Sequence, residues 1–294
     1  MIRFTCNVCG QSNPHSGHPL DRERPSCSVC GSNVRTRALL QALSMELFGV
    51  NLALPDFPRV RSIRGIGTSD PNLYASRLAE KLDYRNTFFN REPRFDIMTP
   101  AEEERGKYDF LISSEVFEHV AAPVDLAFRN VHGLLKPSGV AVFTVPYSVE
   151  QSMQEHFPDL HQFGFAQVGD RVILVNRTRQ GEIQVFQDPV FHRAWDGPAL
   201  EMREFTERDL RAMLAAAGFQ DIRIYSEDYP PFGIFHAEAW SLPIAARKGP
   251  FALSFDSTRD VVLEWRDLKL KFNSEMEHLG RSIWFRVGRK LGFF

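Results

Sequence analysis

Residues 108–148 read YDFLISSEVFEHVAAPVDLAFRNVHGLLKPSGVAVFTVPYS, and this stretch decides the fold. Tyr108 to Ser113 is an apolar run of strand length. Pro123 to Leu135 has helical spacing and is closed by Lys136-Pro137-Ser138-Gly139, and Val140 to Val145 is a second apolar strand. Two strands that are apolar on both faces and joined through a helix belong to a parallel sheet covered on both sides. The alternation continues outward. Toward the amino end, Val60 to Ile66 predicts a strand running into Gly65-Ile66-Gly67, Leu73 to Leu82 a helix and Tyr84 to Phe89 a strand. Toward the carboxyl end, FTERDLRAMLAAAGFQDIRIY (205–225) predicts a helix capped by Thr206 with Asp209, stopped before Gly218 and followed by another strand. In such sheets ligands bind beyond the carboxyl ends of the strands.

The composition suits a large α/β domain with appendages. The chain has 294 residues, 43% hydrophobic and 24% charged, which excludes collagen-like, low-complexity and wholly disordered classes. Its 35 basic residues face 37 acidic ones, so it is no polycation that holds nucleic acid by counterion release, and no nucleic-acid partner is expected. No apolar run reaches the roughly 18 residues of a membrane span. The start, MIRFTCNVCG, lacks the apolar core of a secretory signal, so a cytoplasmic location is expected.

All four cysteines fall within the first 30 residues, as Cys6-x2-Cys9 and Cys27-x2-Cys30 separated by 17 residues. In a reducing compartment this spacing predicts a tetrahedral structural zinc site, with a redox pair as the alternative. Gly10 and Gly31 follow the two pairs and permit the tight turns that such a site needs. The polar segment between the pairs has no apolar periodicity, so the metal must supply its folding energy. With four thiolates no coordination position is open for a catalytic water. His15 and His18 are spare candidate ligands or plain loop histidines. The expected organisation is a zinc ribbon over 1–35, a large domain over 36–250 with an antiparallel insertion at about 168–190, and an amphipathic helix over 251–294. Within the large domain a first helix spans Thr36 to Phe48, and Arg171 to Phe186 reads as two strands joined at Arg179-Gln180-Gly181.

The 108–148 segment resembles the second half of the class I S-adenosylmethionine-dependent methyltransferase domain: a strand, an EHV turn (Glu118-His119-Val120), a helix, an L-K-P-G-G-like turn and a strand ending in Pro146. The likeness extends back to Asp96-Ile97 and forward through residues 205–225. An amino-terminal CxxC/CxxC ribbon is similar to that of bacterial methyltransferases of glycan and polysaccharide pathways. The resemblance implies an α/β, Rossmann-like, doubly wound and mostly parallel sheet, with the zinc ribbon in front and a helical extension behind. It implies S-adenosylmethionine as cofactor. Gly65 and Gly67 approach its amino-acid part, Asp70 stands in for a missing acid of the glycine loop, Glu92 takes the ribose hydroxyls, Asp96 the adenine amino group, Ile97 the ring face, and Ser114 and Glu115 the mouth. The loop RSIRGIGTSDP departs from the family's acid-G-x-G-x-G pattern, since Ser69 replaces the third glycine, so a plain tight turn competes with a cofactor loop there. Glu92 is equally readable as a solvated loop charge.

Methyl transfer is an in-line displacement that asks the protein for alignment and water exclusion. A hydroxyl acceptor also needs a base, for which His119 and His161 are the candidates; the competing reading packs His119 beneath the loop. Residues 156–165, HFPDLHQFGF, predict an acceptor lid or an aromatic loop on the core. From Asp256 onward Leu268, Phe272, Met276, Leu279, Ile283, Val287 and Leu291 mark one face of a long helix that docks on its own domain, on a dimer partner or, with Arg281, Arg286, Arg289, Lys290, Trp284 and Phe285, on a membrane surface. The sequence therefore predicts methyl transfer to a small-molecule or glycan hydroxyl. Its rivals are an RNA methyltransferase clamped by the ribbon and a non-catalytic methyltransferase-like scaffold.

Overall fold

The computed structural model describes residues 2–15, 20–149, 152–194, 197–252 and 255–281. A hairpin of β1 (Ile2–Thr5) and β2 (Ser12–His15) encloses the first cysteine pair, and α1 (Val34–Phe48) leaves the second. Asn33 caps α1 by accepting the Thr36 N–H at 2.9 Å, which starts the helix two residues earlier than apolar spacing suggests. There follow β3 (Val60–Thr68), α2 (Asn72–Lys81), β4 (Leu82–Thr87), β5 (Tyr108–Ser114), α3 (Val124–Leu134) and β6 (Leu135–Thr144). A run of short strands comes next, antiparallel except for the parallel β7–β14 pair: β7 (Tyr147–Ser148), β8 (Gln154–Glu155), β9 (Gln162–Val168), β10 (Arg171–Arg177), β11 (Ile183–Gln187), β12 (Phe191–Ala194), β13 (Gly197–Leu200) and β14 (Arg203–Thr206). The chain then forms α4 (Glu207–Ala217), β15 (Asp221–Ile224), β16 (Ile244–Arg247) and α5 (Phe255–Arg281).

The central sheet has the order β15-β16-β6-β5-β3-β4. β4, β3, β5 and β6 are parallel, and β16 runs antiparallel to both of its neighbours. Two buried clusters cover its faces, one built with Leu39, Leu43, Leu78 and Phe110, the other with Leu111, Phe128, Val131, Phe143 and Leu210. Each such side chain contributes about 1.5–3 kcal/mol by leaving water. Phe4, Cys6, Val8 and Cys27 share the first cluster with α1, so the cysteine module packs on the sheet domain.

β3 extends to Thr68, which corrects the expected strand end and the role of its glycines. A β-carbon on Gly65 would stand 2.0 Å from Phe110 Cζ, and one on Gly67 2.0 Å from Tyr84 Oη. Both glycines make room for rings within the sheet layer. The aromatic segment expected as a lid contains a regular strand, β9, in which Phe163 and Phe165 fall on one face at period two. It adds a third strand to the β10–β11 hairpin.

α5 meets the domain through its first turns, where Ser62 donates to Asp260 at 2.9 Å and Val261 packs on the core. Trp265, Leu268, Phe272 and Met276 are exposed. Ile283, Val287, Leu291, Trp284, Phe285, Arg286, Arg289 and Lys290 lie outside the described residues, as does His18. Among the described residues no helix is long and apolar enough to cross a membrane.

Candidate functional site

Two adjoining cavities open at the carboxyl ends of the parallel strands, of about 660 and 1130 Å³. Ser69, Phe88, Glu115, Val116 and His119 border both. The smaller is walled by Thr68 and Ser69 at the end of β3, Phe88 to Asn90 after β4, Asp96 to Met98, and Glu115, Val116 and His119 to Ala121 after β5, with Leu160 and Phe163 from the antiparallel insertion. The larger lies between the sheet ends, the cysteine module (Arg22, Glu23, Cys30, Gly31, Arg35) and the β12 residues Phe191 and His192.

Asp96 and Ile97 line the smaller cavity. Asp96 braces its own turn, accepting the Met98 N–H at 2.9 Å on one oxygen and the Thr99 hydroxyl at 3.2 Å on the other. Asn130 of α3 donates to the Ile97 carbonyl at 3.0 Å and so ties this segment to the core. Ser114 and Glu115 lie at the mouth of the larger cavity. Glu115 adopts φ 55°, a left-handed conformation that a non-glycine residue takes at an energetic cost. Burial pushes its carboxyl up, but Arg22, 2.8 Å away, and Arg35 outweigh that and leave it below the ordinary carboxylate range. Arg35 also donates to Ser114 Oγ and pairs with Glu23.

Four expected placements are corrected. Gly65 and Gly67 sit inside β3 and line neither cavity, because the turn toward the ligand space begins at Thr68. Ser69 takes φ 57°, the left-handed position where the family pattern has a glycine. Asp70 borders the larger cavity, yet its two carboxylate oxygens accept from Tyr74 at 2.6 Å and Tyr84 at 2.5 Å, so it braces the turn from behind. Burial raises its pKa to about 7, with the two tyrosine hydroxyls opposing the rise. Glu92 is exposed, accepts the Arg94 N–H at 3.0 Å and lies outside the cavities; Asn90 occupies the wall there. His161 is also exposed and outside both cavities, its backbone N–H donating to Asn176. The entrance turn itself is open. Arg64 faces outward to Asp83, and Thr68 donates to Ser113 within the sheet.

His119 is the candidate base that remains. Its Nδ1 lies 2.9 Å from the Leu200 carbonyl, which assigns the proton to Nδ1 and leaves Nε2 with a lone pair 3.6 Å from Glu118 Oε1. Burial pushes the imidazole pKa down, favouring the neutral ring. Glu118 has no exposed surface, and burial, reinforced by the charge of Glu115, raises its pKa well above the usual range. Neither Glu118 nor His192, nor the arginines of the module, stands out in the sequence. Glu118 was visible only as part of the EHV turn, and the strand pairing that brings His192 to the site leaves no local signal.

In the module the four sulfurs lie within 4.8 Å of one another, with Cys6–Cys30 at 3.6 Å and Cys9–Cys27 at 3.7 Å. The edge of a tetrahedron built on 2.3 Å zinc–sulfur bonds is about 3.8 Å, so the donor set fits such an ion. Gly10 and Gly31, at φ 77° and 75°, return N–H groups to the Cys6 and Cys27 carbonyls. Buried His15 stacks on Phe235 and stands apart from the sulfur group.

Comparison with known proteins gives the family. No curated protein matches the chain. Solved structures similar to it include an S-adenosylmethionine-dependent methyltransferase from Clostridium acetobutylicum, at 11% identity and TM-score 0.38 over 64% of this chain and 85% of that one. Another is the sugar N-methyltransferase KedS8 from Streptoalloteichus, at 11% identity and TM-score 0.42 over 74% and 89%. A third is CalS10, an amino pentose methyltransferase from Micromonospora echinaspora with its methyl donor bound, at 14% identity and TM-score 0.40 over 74% and 92%. The sequence itself matches the family described as methyltransferase domain over residues 57–224, a span that holds the parallel strands and most of the walls of both cavities. The chain belongs to that methyltransferase domain family and is an S-adenosylmethionine-dependent methyltransferase.

Proposed function

We propose that the enzyme methylates a hydroxyl of a small-molecule or glycan acceptor, with the smaller cavity holding the methyl donor and the larger one the acceptor. What carries this reading is the pairing of two cavities that meet at Glu115, Val116 and His119: one the more apolar, with the acidic turn at Asp96, the other the more polar, lined by more ionisable groups. The donor cavity fits a nucleoside sulfonium. Ile97, Met98, Phe95 and Val116 supply apolar surface, Asp96 retains acceptor capacity beyond its two turn bonds, and the left-handed Ser69 lets backbone rather than side chain border the space. When bound, S-adenosylmethionine supplies an electrophilic methyl, and the protein's part is to align, desolvate and hold.

A hydroxyl acceptor must lose its proton on methylation, and the polar cluster of Glu118, His119 and His192 is the group of the larger cavity suited to assist. The acceptor is small, because the cavity is enclosed by the module on one side and β12 on the other. The cysteine module holds zinc in a structural role. It is a wall of the acceptor space and not a clamp for RNA, since Arg22 and Arg35, the arginines that face the cavity, are engaged by Glu23, Glu115 and Ser114.

Calorimetry with S-adenosylmethionine tests the donor assignment. Binding is expected for the natural chain and a loss of about tenfold for Asp96→Ala, equivalent to about 1.4 kcal/mol. Absence of binding heat in the natural chain overturns the reading in favour of a scaffold.

A further inference from the structure

We infer that Glu118, His119 and His192 form a site for one divalent first-row metal ion on the acceptor side of the cleft. The inference rests on the assignment of the larger cavity to the acceptor.

Glu118 borders that cavity with no exposed surface, and neither of its carboxylate oxygens has a hydrogen-bond partner. An unpartnered buried carboxylate is costly whether ionised or protonated, because one form lacks a counter-charge and the other leaves polar atoms unsatisfied. The nearby cations offset this only in part. Arg22 is committed to Glu23 and Glu115, and Arg35 to Glu23 and Ser114. What does face Glu118 is a pair of imidazoles. One donor atom from each of Glu118, His119 and His192 lies within 4.8 Å of the others.

Both rings are held in the manner of metal-binding histidines, whose second nitrogen is fixed by a carbonyl or carboxylate. His119 gives Nδ1 to the Leu200 carbonyl at 2.9 Å, and His192 Nε2 contacts the carboxylate of Glu201. Glu201 is itself buried and lies 3.5 Å from His156 Nε2, so the support extends one residue further. The parts come from two distant elements: the turn after β5 supplies Glu118 and His119, and β12 supplies His192. The β12–β13 hairpin thus serves to close a ligand set, since Leu200 and His192 are its two contributions.

Two imidazoles and one carboxylate suit manganese, iron, cobalt or zinc, and three protein ligands leave coordination positions facing the cavity. Those positions are available to oxygen atoms of the acceptor, which makes an acceptor with two neighbouring oxygens the best match. A hydroxyl bound to such a cation loses its proton more readily, and the proton passes to water at the open mouth. As the new carbon–oxygen bond forms, the carbon–sulfur bond of the donor breaks and sulfur retains the electron pair. His119 then acts as a ligand through Nε2 and not as a free base.

The test uses the full chain, with its cysteine module loaded with zinc, titrated with manganese(II) chloride alone and followed by the loss of the free-ion electron paramagnetic resonance signal. One bound manganese per chain is expected. His192→Ala, at a half-exposed position on the hairpin, and Glu118→Gln should each weaken it by about tenfold or more, while His161→Ala should leave it unchanged. No bound manganese, or equal binding by His192→Ala, overturns the site. S-adenosylmethionine calorimetry on the same samples keeps the two readings apart: a failure there overturns the donor assignment and leaves the manganese result standing on its own.

Discussion

Two walls face each other across the larger cavity, and they are held by different forces. The wall at the ends of β3 and β5 is backed by a four-stranded parallel ladder and by rings such as Tyr84, Phe110 and Phe117 that exclude water. The wall from Arg22 to Arg35 has no strand in it. It is fixed by four sulfurs behind and by ion pairs in front, with Arg22 bonded to Glu115 and to the Ser241 carbonyl, and Arg37 donating to the carbonyls of Ser32 and Gly233. Hydrophobic burial is distributed over many side chains and degrades gradually, whereas a wall that leans on one four-sulfur cluster and a few charges fails as a unit.

The largest expected effect follows from that contrast. With the four thiolates holding zinc as proposed, removing that ion with a chelator, or replacing Cys27 by Ser, should take away folding energy of the order of 10 kcal/mol, as in isolated zinc modules. Because Phe4, Cys6 and Cys27 pack in one cluster with Leu39 and Leu43, the loss should spread into α1. The expected outcome is a marked drop in melting temperature with loss of the Arg22–Glu115 contact and of methyl transfer, checked by metal content against circular dichroism melts. A chain that sheds its metal and melts unchanged would break the comparison.

The sheet wall was legible in the sequence; of the module wall the grouping of four cysteines was legible and the arginine contacts were not. Alternating apolar strands and helices located β3 to β6 to within a few residues, Ser114-Glu115 followed from their place at the end of β5, and Asp96-Ile97 was implied by the family resemblance. The errors have physical causes. Gly65 and Gly67 carry the same local signature whether a glycine admits a ligand or a neighbouring ring, and here Phe110 and Tyr84 claim the space. Asp70 was expected to serve the ligand side of the turn, but its orientation toward Tyr74 and Tyr84 depends on side chains 4 and 14 positions away. Arg22 reaches a partner 93 residues distant, a contact no periodicity encodes.

An effect of intermediate size tests how the sheet wall is braced. Asp70 has a folded pKa of about 7, above its ordinary value of 3.8, because burial disfavours the anion. The folded state therefore binds the proton more tightly than the unfolded one. This group's contribution is fully present below about pH 4 and is lost as pH rises toward 7, on the order of a few kcal/mol. Asp70→Asn should flatten that part of the stability profile and make the protein less sensitive to pH between about 4 and 7. Urea midpoints across this range, natural chain against variant, decide it; parallel profiles would mean that Asp70 stays ionised in its tyrosine pair.

The smallest effect concerns the contact between the walls. Arg22 and Glu115 meet at 2.8 Å with side chains 28% and 20% exposed, so water screens the pair only in part. A double-mutant cycle with Arg22→Ala and Glu115→Gln should give a coupling of about 1 kcal/mol, at the upper end for exposed pairs because both partners are half-buried. Its functional consequence should exceed its energy. Glu115 has a left-handed backbone and borders both cavities, so releasing it shifts the shared rim, and Arg22→Ala should raise the KM for the acceptor more than that for the methyl donor, because Arg22 lines only the larger cavity. Equal rises in both constants would place Arg22 in the support of the whole sheet end and erase the distinction between the two walls.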